Sequence, residues 1–146
     1  MRSLQHVWLV RHGETAWTVT GQHTGRTDIP LTAHGEAEAR KLSRRLHNRQ
    51  FDGVLTSPLL RALRTCELAG FGGVAHVDAN LSEWDYGEYE GLRTSDIHLK
   101  RPSWRLFEDG CPGGETIDAV AARADRAIEL MRVIQETSWC LRTVTF

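Results

Sequence analysis

The sequence predicts a single α/β layered domain built around a largely parallel sheet. Two short apolar strands each run into a helix, and a long amphipathic helix follows them with no linker or repeat between. The first strand is His6-Val-Trp-Leu-Val10, a nearly continuous apolar run ending in Arg-His-Gly, the pattern of a strand buried on both faces that delivers residues to a loop. In open α/β sheets the carboxyl edge of the strands is where ligands bind. Gly21 to Leu31 is polar and turn-rich, and Thr32 is placed to N-cap a helix that carries Ala39, Leu42 and Leu46 on one face and ends near Asn48.

Asp52-Gly-Val-Leu-Thr-Ser57 reads as a second strand, with Pro58 in the first turn of a helix running to about Ala69. Ala75 to Asp78 is a candidate third strand. Leu81 to Leu92 is aromatic and acidic without a period and reads as a long loop with local helix. Ile117, Val120, Ala121, Ala124, Ile128 and Met131 then recur at three- and four-residue intervals, one apolar stripe of a helix. A further strand is expected after it, but Glu136 to Phe146 is polar despite its β-formers.

Composition narrows the function classes. The 146 residues are 40% hydrophobic and 25% charged, ordinary for a globular domain, and 18 basic against 19 acidic residues leave a formal charge of −1. No global field draws in nucleic acid or an anionic membrane surface, so any anion site is local and neither is expected as a partner. The apolar run Val7 to Val10 is too short for a signal-peptide core or a membrane span, which gives the expectation of a cytoplasmic protein. Cys66, Cys111 and Cys140 are an odd set without C-x-x-C spacing and signal neither a disulfide framework nor a zinc knuckle.

The chemistry concentrates at Arg11-His12-Gly13-Glu14-Thr15. An imidazole nitrogen can attack phosphorus and hold the phosphoryl group covalently, Arg11 offers a fork for phosphate oxygens, and Gly13 lets the chain bend and a ligand approach. Arg61, on the first turn of the helix after the second strand, supplies a second guanidinium near helix N–H groups that favour anions. Glu83 lies beside Trp84 and Tyr86, aromatic surface that can raise a carboxyl pKa and keep it protonated as a general acid. Seven His residues include no H-E-x-x-H or H-x-H spacing, and no G-x-x-x-x-G-K-[ST] loop is present, so neither a catalytic metal, a P-loop nor any other cofactor is expected.

Five ordered blocks between Val7 and about Met131 resemble the histidine phosphatase superfamily, the phosphoglycerate-mutase-like proteins. They are Leu9-Val-Arg-His-Gly-Glu-Thr15, Thr24-Gly-Arg-Thr-Asp-Ile-Pro-Leu-Thr32 with Gly35, Thr56-Ser-Pro-Leu-Leu-Arg-Ala62, Leu81-Ser-Glu-Trp-Asp-Tyr-Gly-Glu-Tyr-Glu-Gly91 and Asp109-Gly-Cys-Pro-Gly-Gly-Glu-Thr116. The resemblance implies a three-layer α/β sandwich with a mostly parallel central sheet. It implies His12 as the phosphohistidine nucleophile, Arg11 and Arg61 as clamps on the phosphoryl oxygens, and Glu83 as proton donor to the leaving oxygen. Thr24 and Gly25 lie where family members contact substrate, Glu14 or Thr15 would line the pocket mouth, and Glu115 reads as structural.

The segments Glu83 to Gly91 and Asp109 to Cys111 resemble the acid phosphatase and sugar-bisphosphatase branch. The short connection between Tyr86 and Pro112 also favours hydrolysis of a small phosphorylated metabolite over mutase chemistry, since mutases shield the phosphohistidine with an insertion here. Phosphoglycerate mutase and a non-catalytic binder of phosphorylated ligands are the alternatives.

The chain departs from the family at its end. The family carries a second catalytic His on a strand after the last long helix, yet no His follows His98. With codons chosen freely for Gln135 to Phe146, a reading from each third base yields Gly-Asp-Val-Leu-Val-Leu-Ala-His-Gly-His-Phe, and Trp139-Cys140 forces a Val in that frame. Residues 1–134 therefore read as an incomplete histidine phosphatase domain that lacks its C-terminal strands, and 135–146 as an aberrant, frameshifted tail. The expected consequence is an impaired pocket, an exposed sheet edge and a poorly soluble product.

Overall fold

A computed structural model describes residues 6–136 and 142–145. Its centre is a four-stranded, all-parallel sheet of β1 (His6–Leu9), β2 (Gly53–Thr56), β3 (His76–Val77) and β4 (Arg142–Thr145), in the spatial order β1-β4-β2-β3. On one face lie α2 (Ala33–Leu46) and α3 (Leu60–Leu68), and on the other α6 (Ile117–Glu136). Val54 and Leu55 of β2 point to opposite sides. Val54 joins Leu46, Cys66 and Ala69 beneath α2 and α3, whereas Leu55 meets Ala127 and Met131 of α6. The result is the three-layer α/β sandwich that the sequence predicts.

Specific contacts set where three of the helices start. Thr32 caps α2 by accepting from Gly35 N–H at 3.0 Å. The α3 N-terminus has no cap from its own Leu59, and instead Asp28 accepts from Leu60 N–H at 2.8 Å. A five-residue helix, α1 (Ala16–Thr20), starts at Thr15, which exchanges hydrogen bonds with Thr18, and stops at Gly21, whose φ of 76° suits glycine.

Three features were not anticipated or differ. First, β1 is an outer strand and not buried on both faces: Trp8 packs edge-on against Phe51, but Val7 is 45% and Leu9 80% exposed. No described strand lies beyond it. Second, the tail expected to leave the sheet a strand short supplies β4, whose β-branched Thr143, Val144 and Thr145 fill a slot between two strands that each offer an open edge. Tail residues 137–141 and Phe146 lie outside the described residues.

Third, the segment after Leu92 contains two short helices, α4 (Thr94–Lys100) and α5 (Leu106–Asp109). With Ile97, Trp104 and Cys111 buried and Tyr86 and Tyr89 packed on them, this stretch has a small core of its own beside the sheet.

Candidate active site

The loop that leaves β1 is fixed from two sides. Gly13 N–H donates to Thr65 Oγ1 at 3.0 Å, and the same hydroxyl donates to Arg61 carbonyl O at 2.7 Å, so one buried threonine of α3 ties the loop to the helix. On the other side Gly13 and Gly35 approach so closely that a Cβ on Gly35 would lie 2.2 Å from Glu14 carbonyl O. Neither contact tolerates a bulkier residue without movement.

His12 is half-buried, and its Nδ1 lies 2.8 Å from the carbonyl O of Gly13. A carbonyl only accepts, so Nδ1 carries the proton and Nε2 is left with its lone pair. Burial, reinforced by the positive charges of Arg61 and Arg11, holds the imidazole pKa below its ordinary 6.5, against the opposing pull of the Gly13 bond and of Glu83. The ring is therefore neutral at neutral pH and presents an unprotonated nitrogen.

That nitrogen's surroundings fit a phosphoryl group. Arg11, His12, Arg61, Glu83 and Tyr86 line one cavity of about 500 Å³, which Ser57 also borders. A smaller adjoining cleft of about 210 Å³ shares Arg11, His12, Glu83 and Tyr86 and adds Thr18, Gln22, His23 and Thr24. The Tyr86 and His23 rings stack with centroids 4.7 Å apart, and burial together with Glu83 pushes the Tyr86 hydroxyl up to about 12, so it remains a neutral donor.

Arg61 is 1% exposed and does more than face the cavity. Its guanidinium donates to the carbonyls of Thr27 at 3.1 Å, Thr24 at 3.1 Å and Gly25 at 2.8 Å. Of the five N–H groups a guanidinium carries, about two are left for a ligand. Glu90 holds the same loop from the amide side, its Oε1 accepting from Gly25 N–H at 2.7 Å and Thr27 N–H at 2.9 Å. Neither Glu90 nor Thr65 was singled out from the sequence. Thr65 is signalled only by sitting four residues after Arg61 on one helical face.

The other sequence-predicted residues divide. His12, Arg11, Arg61 and Glu83 meet at one cavity, with Thr24 beside them. Gly25 lies behind it: its N–H is taken by Glu90, and a Cβ there would sit 2.1 Å from Trp84 carbonyl O. Thr15 is not at the mouth, because it is 0% exposed and spent on capping α1. Glu14 turns toward α2, accepting from the Thr32 hydroxyl at 2.6 Å and pairing with His34 at 3.4 Å. The α3 N-terminus, expected to help hold an anion, is already met by Asp28. Among the described residues no group of three or more His, Cys, Asp or Glu side chains is placed to hold a metal ion. No helix there is long and apolar enough to cross a membrane.

Residues 7–140 match the histidine phosphatase superfamily (branch 1). The chain belongs to that family. The chain is 44% identical over 124 residues to an acid phosphatase of Mycobacterium tuberculosis, a match covering 84% of this chain and 61% of the relative. It is 38% identical over 145 residues to sedoheptulose 1,7-bisphosphatase of Saccharomyces cerevisiae, covering 82% of this chain and 53% of the relative. It thus spans little more than half the length of these curated relatives. Among solved structures, an open reading frame of Mycobacterium tuberculosis superposes with a TM-score of 0.88 at 39% identity, over 98% of this chain and 73% of that one.

Proposed function

We propose that this histidine phosphatase domain hydrolyses phosphomonoesters of small metabolites, sugar phosphates foremost, through a phosphohistidine on His12. The carrying observation is the Nδ1–H bond to Gly13, which frees Nε2 in a cavity that also holds two guanidiniums and a carboxyl group. Arg11 and Arg61 take the phosphoryl oxygens and spread their negative charge in the transition state. His12 Nε2 attacks phosphorus, the bond to the ester oxygen breaks, and Glu83 delivers the proton that oxygen needs. Water then attacks the phosphohistidine, Glu83 takes its proton back, and His12 and inorganic phosphate are released. Thr24, with Gln22 and His23 near it, lines the side on which the alcohol would leave.

The sugar-phosphate preference draws on the acid phosphatase and sugar-bisphosphatase relatives, and on the short stretch between Tyr86 and Pro112, which leaves the phosphoenzyme open to water. The absence of any His after His98 favours low turnover in these 146 residues, and in the limit a binder of phosphorylated ligands. We infer that residues 135–146 are a frameshifted replacement for the family's histidine-bearing strand. Incubation with radiolabelled sugar phosphate, a denaturing alkaline quench and peptide mapping at high pH are expected to find acid-labile phosphate on His12, absent from His12→Asn, with slow phosphate release. Phosphate release that survives His12→Asn would sink the reading, interconversion of phosphoglycerates without release would make the domain a mutase, and ligand stabilisation without labelling would leave only the binder.

A further inference from the structure

The peptide that carries Glu83 has no regular secondary structure of its own after the turn at Ala79–Leu81, yet it is held at four flanking residues by one ion pair. Arg123, on α6, and Glu115, just before it, form a two-bond fork, Nε to Oε1 at 2.8 Å and Nη2 to Oε2 at 3.0 Å. Their side chains are only 13% and 20% exposed. The remaining Nη1 of Arg123 donates to the carbonyls of Asn80 at 3.1 Å and Ser82 at 2.6 Å. Glu115 holds the far side: its Oε2 accepts from Asp85 N–H at 2.9 Å, its N–H donates to Asp85 carbonyl O at 2.9 Å, and its carbonyl accepts from Trp84 Nε1 at 3.1 Å.

An isolated ion pair on a helix face is worth little, but this one is shielded, bidentate and spends its spare donors and acceptors on backbone. The fork with Arg123 holds the Glu115 carboxyl below the usual range, so it stays ionised and keeps its grip. Glu83 takes no bond from either residue. Its only hydrogen bond among the described residues runs from Trp84 N–H to its own Oε1, at 2.8 Å, and that leaves the carboxyl group at the cavity shared with His12. The brace thus fixes the backbone on either side while leaving the functional group free.

We propose that Arg123 and Glu115 are positioning residues that hold Glu83 against His12, and that this brace, and not the loop itself, sets where the proton donor stands. The inference rests on the reading of Glu83 as that donor. Two guanidiniums, Arg11 and Arg61, and the Glu83 carboxylate act on the His12 ring, and of these only Glu83 favours its charged form. Glu83 is thus a built-in reporter of its own position.

Diethyl pyrocarbonate acylates only the neutral imidazole, so the rate at His12, followed across pH by peptide mass spectrometry, gives its titration midpoint without any need for turnover. In the 146-residue chain Glu83→Gln is expected to lower that midpoint. Arg123→Lys, which keeps the charge but cannot span three partners, is expected to lower it equally, and the double variant no further. Glu115→Gln serves as a second variant with the same expected shift, and Arg126→Gln, which removes an exposed contact from the same helix to the Asn80 side chain at 2.9 Å, is expected to leave the midpoint in place. A shift in Glu83→Gln that neither Arg123→Lys nor Glu115→Gln shares overturns the brace alone, as does an additive shift in the double variant or an equal shift in Arg126→Gln. A midpoint unmoved by Glu83→Gln overturns the brace, whereas the donor reading fails separately if Glu83→Gln labels His12 and releases phosphate as fast as the unaltered chain.

Discussion

At the scale of single residues, His12 and His23 share a property with consequences beyond chemistry. Burial is the largest cause that depresses both imidazoles below 6.5. In the unfolded chain these rings take up protons near 6.5, while in the folded chain they resist until a lower pH, so the unfolded state binds more protons in between. Stability is therefore fully present above about 6.5 and is lost as pH falls from there through the depressed folded values. Urea midpoints between pH 5 and 7.5 are expected to fall with pH, and His12→Asn should flatten part of that slope, with His23 responsible for part of what remains. An equally steep slope in His12→Asn would contradict the assignment. Arg11, His12 and Arg61, which meet at one cavity, were legible as candidates because each is a chemically unusual choice at a strand or helix end. Arg123 was not, since a charged residue in an amphipathic helix reads as an ordinary solvated charge until its partners are seen, and here it lies one turn before the buried Ala127, on the side of α6 that faces the sheet.

Among elements, the join between the β1 loop and α3 is the most exacting. Thr65 accepts from Gly13 and donates to Arg61 with a single hydroxyl, so Thr65→Val keeps the shape and the helical bond to the Arg61 carbonyl but leaves the Gly13 N–H without its acceptor. A loss of about 1–3 kcal/mol in denaturant stability is expected from the unmet N–H. A change within a few tenths of a kcal/mol would mean water replaces the threonine. The strands and α2 were readable because their apolar residues keep the period of the element, but the buried stripe of α6 was misplaced: Ile117 and Ile128 are each 46% exposed, and Ala127, Leu130 and Ile134 turn to the sheet with Met131 instead. The helices α4 and α5 were not: Ile97, Trp104 and Cys111 turn into a local core separate from the sheet, so their apolar residues follow that core and no helical period. α1 escaped for a different reason, being five residues held at one end by a threonine pair and at the other by a glycine.

For the whole molecule, the open side of β1 governs behaviour in solution. An outer strand with Val7 and Leu9 exposed is a template for pairing with another chain. Leu9→Lys should raise the fraction of monomer in size-exclusion chromatography and light scattering, with little cost to folding because the side chain is already 80% exposed. Unchanged association in that variant would place the sticky surface elsewhere. The burial of β1 was misjudged because a continuous apolar run tells how hydrophobic a strand is but not whether neighbours arrive to cover it. The layered plan itself followed from the order of elements, which α/β connection rules restrict strongly.

The strand order β1-β4-β2-β3 also bears on how the molecule comes to be. β1 and β2 are neighbours in sequence among the strands but never touch, because β4 stands between them. During synthesis β1 leaves the ribosome long before residues 142–145, its only partner among the described strands, and the loop to be closed between them is about 130 residues long. Such non-local pairing makes for slow folding and a long interval with an unpaired strand in the open. Residues 142–145 thus act as the keystone for β1, and the loop after β1 that lines the cavity takes its place only once they have paired.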